Sequence, residues 1–169
     1  MKLLEVINPE AVSESDVKEY PVRETARAVV IDDNGLIALL YVASDNYYKI
    51  PGGGIEAGED RRVALYRECM EEIGCTVEIL DEIGSIIEYR KLFTLKQISY
   101  CYVAKVKGKK GKPDFTPKEI AEGFKQIWMP YSEALALISK NQATNQEGKS
   151  YIVPRDLTFL QAAQRFFES

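Results

Sequence analysis

Residues 53–75 read GGIEAGEDRRVALYRECMEEIGC and set three glutamates on one helix just after a glycine-rich turn. Glu68, Glu71 and Glu72 stand at i, i+3 and i+4, a spacing that gathers side chains onto one side of an α-helix. Carboxylates that close repel one another unless a cation sits among them, so the segment is a candidate divalent-metal site. On a helical wheel Val63, Leu65, Tyr66, Cys69, Met70 and Ile73 share one arc, which is expected to face a core. Arg67, Glu68, Glu71 and Glu72 fall in the other, with the small Ala64 among them leaving room for an ion. Asp60 is the expected N-cap, because its carboxylate can accept the free N–H groups of the first turn. Gly74 is the expected C-terminal stop, since glycine enters the left-handed conformation without strain.

Outward from this stretch, residues 22–31 alternate as a strand does, and Asp33-Asn34-Gly35 is a turn signal. Residues 36–43 read as the returning strand, and residues 47–50 as a short one that delivers the chain into Pro51 and the glycines. Residues 76–89 and 94–106 are long β-rich segments joined near residues 90–93, and residues 124–129 form one more strand. Helices are expected over residues 131–140, with Ser132 in the first turn, and over about 155–168, capped by Asp156. Strands precede and follow the acidic helix without regular alternation, which favours an α/β fold with a mixed sheet between helical layers, an α/β/α sandwich. No repeat or low-complexity segment divides the chain, so residues 1–169 are expected to be one domain, with residues 1–20 and the last helix as extensions of it.

Composition narrows the chemistry. Histidine is absent from the 169 residues, which excludes Ser-His or Cys-His pairs and His-ligated zinc. Cys69, Cys75 and Cys101 lack C-x-x-C spacing and read as reduced, buried thiols of a cytoplasmic protein. The start, MKLLEVINPE, has no long apolar segment, so neither a signal peptide nor a membrane span is expected. A net charge of −4 makes no electrostatic case for broad nucleic-acid binding, and the basic run at residues 105–112 reads as a solvated hairpin or loop.

The fixed positions of residues 53–75 resemble the Nudix box, G-x5-E-x7-R-E-U-x-E-E-x-G-U, with U a bulky apolar residue. Gly53, Glu59, Arg67, Glu68, Glu71, Glu72 and Gly74 occupy every fixed position, and Cys69 and Cys75 stand at the two U positions. The resemblance runs from about residue 23 to residue 138. It implies the Nudix α/β/α sandwich and a MutT-like pyrophosphohydrolase, cleaving a nucleoside diphosphate linked to a further group with Mg²⁺ or Mn²⁺. Carried over, it implies Glu68, Glu72 and the Gly52 carbonyl as metal ligands. Glu71 would be a further ligand or orient the attacking water, and Arg67 and Glu59 would brace loop against helix. Relatives often draw a further carboxylate from a loop outside the box. Here residues 112–128 supply Asp114, Glu119 and Glu122, with Glu122 the first choice as base and Glu119 the second.

Substrate contacts are expected from Arg27, Tyr48 and Tyr89, with Tyr47, Arg90 and Phe93 as neighbours. The expected partner is a nucleotide-type small molecule (NTP, oxidised dNTP or a nucleotide derivative). ADP-ribose and dinucleoside polyphosphates remain alternatives, and a homodimer is compatible with the chain. A sensor module that binds nucleotides without turnover is the competing class, although such modules would be expected to lose box glutamates. An isomerase or a cap-cleaving enzyme acting on RNA is a third.

Overall fold

A computed structural model describes residues 1–167. Strand β1 (Leu3–Ile7) and helix α1 (Glu14–Lys18) come first, followed by β2 (Val22–Ile31), β3 (Leu36–Val42), β4 (Tyr47–Lys49) and β5 (Gly52–Gly54). The acidic helix α2 (Arg61–Ile73) leads to β6 (Thr76–Arg90) and β7 (Leu95–Lys107). Helix α3 (Pro117–Ala121), β8 (Phe124–Pro130), α4 (Tyr131–Ser139) and α5 (Val153–Ala163) complete the order. The expected strands and α4 therefore form, with boundaries shifted by a residue or two. The N-terminal strand, set aside above as an extension, pairs parallel with β6.

The mixed sheet runs β1-β6-β7-β2-β3-β4, with β5 on β2 and β8 on β3. β2 meets β3 only at Ile31 and Ile37. Nearer the start of β2, its edge is taken by β5 through Thr25–Gly54, Ala26–Gly53 and Arg27–Gly52. Side chains alternate across the sheet, as the pleat requires. Val29, Leu39, Cys101 and Val103 enter the core with α4 and α5, where Ile138, Phe159 and Leu160 lie. Ala28, Val30, Leu40, Tyr100 and Tyr102 enter the core beneath α2, with Leu65, Cys69 and Ile73. The α/β/α sandwich is thus the observed architecture.

Helix α2 begins and ends where its caps demand. Asp60 accepts from the Arg62 N–H, and Gly74 turns left-handed at φ 62°. Its roll differs from the wheel reading. Val63, Tyr66 and Met70 are exposed (54%, 42% and 48%), while Ala64 and Glu72 are buried. Ala64 packs into the core and makes no room for an ion. Two things allow this roll. Alanines at 26 and 28 and the bare backbone of β5 let the helix approach closely, and buried Glu72 finds partners there.

The last helix is also re-drawn. Residues 148–152 already wind as a π-turn into α5, ahead of the expected start near residue 155. Asp156 is no cap but lies inside the helix, buried, accepting from the Ile50 N–H at 2.9 Å. The expected end of this helix at Glu168 lies outside the described residues. Among the described residues, no helix is long and apolar enough to cross a membrane. In the basic run residues 105–107 end β7 and only the remainder is loop, while Lys105 and Lys110 pair with Asp33 and the buried Asp32 and Lys110 lies over Trp128.

Candidate active site

One cleft of about 300 Å³ opens between the glycine loop, α2, α3 and the segment leading into α5. Its acidic side comes from the box. Strand alternation through Tyr48-Lys49-Ile50 turns Lys49 toward α2, and its Nζ meets Glu72 Oε1 at 2.8 Å. The other Glu72 oxygen accepts from the Gly52 N–H at 2.7 Å. Burial pushes the Glu72 carboxyl above its ordinary value, and Lys49 and the Gly52 N–H counteract only part of that. Glu68 lies against Gly53, where a Cβ would come within 2.5–2.6 Å of its carboxylate. The glycine is required there because the carboxylate occupies the space of a side chain.

Arg67 is the brace. Its Nε and Nη2 grip both oxygens of Glu59 at 3.0 Å, and Nη2 also donates to the Gly54 carbonyl at 2.9 Å. Nη1 donates to Glu68 at 2.8 Å and reaches Glu71 at 3.5 Å. The fork holds the Glu59 carboxyl below its usual range and raises its own guanidinium. The ion pair expected of Glu59 and Arg67 is therefore present in bidentate form.

The three glutamates do not converge. Among the described residues, no group of three or more acidic or cysteine side chains could together hold a metal ion. Helical spacing puts Glu71 on the outer edge, 43% exposed at the side chain, while Glu68 and Glu72 alone border the cleft. The Gly52 carbonyl accepts from Arg27 Nη1 at 2.9 Å. Two carboxylates and a carbonyl are still an all-oxygen donor set, the kind preferred by a Mg²⁺-like ion that keeps waters and shares substrate oxygens. The residues fit such an ion.

The opposite, basic side comes from distant elements. Arg23 and Arg27 on β2, Arg90 on β6, Gln97 on β7 and Arg155 on α5 line the floor. Arg27 is 6% exposed and, among the described residues, pairs with no carboxylate. Burial and the like charge of Arg155 lower its guanidinium to about 10. Arg90 is held by Glu88 and Glu147, each at 2.8 Å. Burial disfavours the Arg155 charge, yet Asp156 and Glu88 outweigh it and raise the group.

Of the loop acids, Glu122 borders the cleft with its side chain 32% exposed and Lys118 3.7 Å away. Glu119 also borders it, but its carboxylate closes a capping box with Thr116 and accepts from the Thr116 N–H at 2.8 Å. Asp114 is outside the lining, its backbone N–H tied to the Glu71 carbonyl. Among the expected substrate contacts, Arg27, Tyr47 and Arg90 line the cleft. Tyr48 instead lies against Tyr41, ring centres 4.8 Å apart, and Tyr89 pairs with Lys96 along the hairpin. Arg23, Lys49, Gln97 and Arg155, which also line the cleft, were not singled out from sequence. Lys49 was open to detection by alternation from Ile50; for the other three no local pattern exists.

The NUDIX domain family model matches residues 21–156, and the chain belongs to the Nudix family. It is similar to an RNA pyrophosphohydrolase of Acinetobacter baylyi (strain ATCC 33305 / BD413 / ADP1), 30% identical over 63% of this chain and 55% of that one. An RNA pyrophosphohydrolase of Sulfurovum sp. (strain NBC37-1) is 53% identical over 26% of this chain and 29% of its own. The chain thus matches about half or less of these relatives' length. A NUDIX hydrolase from Nitrosomonas europaea shares the fold at TM-score 0.66 and 15% identity, over 86% of this chain and 90% of that one.

Proposed function

We propose that the chain is a metal-dependent pyrophosphohydrolase that cleaves the diphosphate linkage of a nucleotide-type substrate. One observation carries the reading: a pair of carboxylates, Glu68 and Glu72, shares a cleft with the buried, carboxylate-free guanidinium of Arg27. An oxygen-donor pole and a cationic pole across one cleft suit a polyanion bound together with a hard cation. In this reading Glu68, Glu72 and the Gly52 carbonyl hold Mg²⁺ or Mn²⁺. The ion, when bound, supplies charge neutralisation on the diphosphate and acidifies a water. Arg27, Arg23 and Lys49 hold phosphate oxygens, and Lys49 does so once Glu72 is engaged elsewhere. Glu122 takes the proton of the attacking water as phosphorus gains its oxygen and the bridging P–O bond breaks. Glu71, outside the cleft lining, orients water at the rim. Arg67 and Glu59 keep β5 and α2 in register.

The described N-terminal strand and α5 both pack on the sheet, which supports one Nudix unit over the whole chain. Three free, buried cysteines support a reducing, cytoplasmic setting.

A panel of NTPs, oxidised dNTPs, ADP-ribose and dinucleoside polyphosphates, with Mg²⁺ or Mn²⁺ and a phosphate read-out, tests the reading. Cleavage of at least one member, lost in Glu72→Gln, is expected; no cleavage of any, or a variant as fast as the parent, ends it. The names of the two relatives favour a second substrate, a diphosphate linkage carried by an RNA. A 5′-triphosphorylated oligonucleotide added to the panel decides between them by relative kcat/KM.

A further inference from the structure

The floor of the cleft has more buried donors than it has acceptors to satisfy them. Arg155 is 1% exposed, and its Nε donates to Asp156 Oδ1 at 2.7 Å. Both of its terminal nitrogens, Nη1 and Nη2, are buried without a hydrogen-bond partner, and so is Arg27 Nε. Of the acceptors nearby, Gln97 Oε1 is itself buried and meets none of them, and the carboxylates of Asp156 and Glu88 are committed. Asp156 Oδ2 takes the Ile50 N–H. Glu88 Oε1 takes two nitrogens of Arg90, at 3.3 and 2.8 Å. Glu88 Oε2 takes Gln97 Nε2 at 2.7 Å and the Ser99 hydroxyl at 3.4 Å, and stays 3.7 Å from Arg155 Nη1. Leaving buried donors unmade is costly, more so when they are charged, and native interiors seldom do it without a functional or water-filled reason.

We propose that Arg155 and Arg27 form an anion subsite at the inner end of the cleft that receives one phosphoryl group of the substrate. The donor-only fork of a guanidinium matches the oxygens of a phosphoryl group, which accept at several points and carry charge. A single water could accept at most two of these donors and would leave the two like charges facing each other. The subsite lies outside the box, on β2 and α5, with Arg90 and Gln97 beside it in the lining and Glu88 3.7 Å from Arg155 Nη1. It rests on the reading of the cleft as a diphosphate site, but it can be tested without hydrolysis.

The test is calorimetric binding of inorganic pyrophosphate and of orthophosphate, in EDTA and at matched ionic strength, to the parent and to Arg155→Lys and Arg27→Lys. Both anions are expected to bind the parent, and each substitution to weaken binding on the order of tenfold, because lysine keeps the charge and loses the fork. No binding to the parent, or equal binding to all three proteins, overturns the subsite. If Arg155→Lys fails to fold, parent protein carrying ¹⁵N-arginine serves instead. Pyrophosphate should shift two guanidinium signals and slow their proton exchange, and an unchanged spectrum overturns the proposal. Glu72→Gln separates the two claims. Retained pyrophosphate binding there, with hydrolysis gone, supports both, whereas hydrolysis by the parent without metal-free anion binding leaves the enzyme reading standing and removes the subsite.

Discussion

The two sides of the cleft are made in different ways. The acidic side is one continuous stretch: loop, cap and helix from Gly52 to Gly74, held by the fork of Arg67 on Glu59, Glu68 and the Gly54 carbonyl. The basic floor is assembled from β2, β6, β7 and α5, and apart from the exposed Arg23 its charges are almost wholly buried. Arg67 is 27% exposed at its side chain, while Glu88, Arg90 and Arg155 are at 3% or less. The contrast teaches where each side is vulnerable. A partly exposed ion network loses little when one member goes, whereas a buried one strands a charge in low dielectric.

Glu88→Gln should therefore be the most damaging change to folding, lowering stability by about 3–5 kcal/mol in urea denaturation. Arg67→Ala, on the exposed side, should cost only about 1 kcal/mol in the same assay. Equal losses would erase the distinction between the two sides.

On the acidic side the largest effect is on turnover. Glu72→Gln is expected to lower kcat/KM on the order of 10²–10³-fold, as removal of a group that sets charge at the reacting phosphate does. Loss of Mn²⁺ binding, followed by electron paramagnetic resonance, should accompany it. A smaller effect separates the loop acids. Glu122→Gln should cost about 10²-fold in kcat. Glu119→Gln should leave kcat close to the parent's and loosen α3 by about 1 kcal/mol or less, since its carboxylate caps the helix. The reverse order would move the base to Glu119.

The smallest effect is a shift in pH dependence. Metal takes the ionised carboxylate, so protons and metal compete for Glu72. Because burial raises that carboxyl, the acid limb of Mn²⁺ binding should lie above the ordinary carboxylate value of 4.5. Lys49 acts in the other direction, so Lys49→Met should carry the limb to still higher pH. A limb that falls or stays put in that variant would show that Lys49 does not hold the charge of Glu72.

Much of the fold was legible because its signals are local. Alternation marked β2 over the residues it occupies, Asp60 and Gly74 bounded α2, and the glycine and glutamate spacing identified the box. The errors came where a partner elsewhere in the chain decided the outcome. Glu72 points inward because Lys49 and the Gly52 N–H receive it, and that turns Val63, Tyr66 and Met70 outward. Asp156 looked like a cap but serves as a buried acceptor for Ile50 and Arg155. Tyr48 looked like a base-stacking residue but is occupied by Tyr41.

Spacing within a few turns of chain is enough for the acidic helix, its limits and the family, and the resemblance adds the brace. Which glutamates share the cleft, and which arginines face them, follows from the packing of distant elements. Helical periodicity sets where a side chain leaves the backbone. Whether a charge can be buried there depends on the partners that meet it, and for Glu72, Arg27 and Arg155 those partners arrive from other strands and helices.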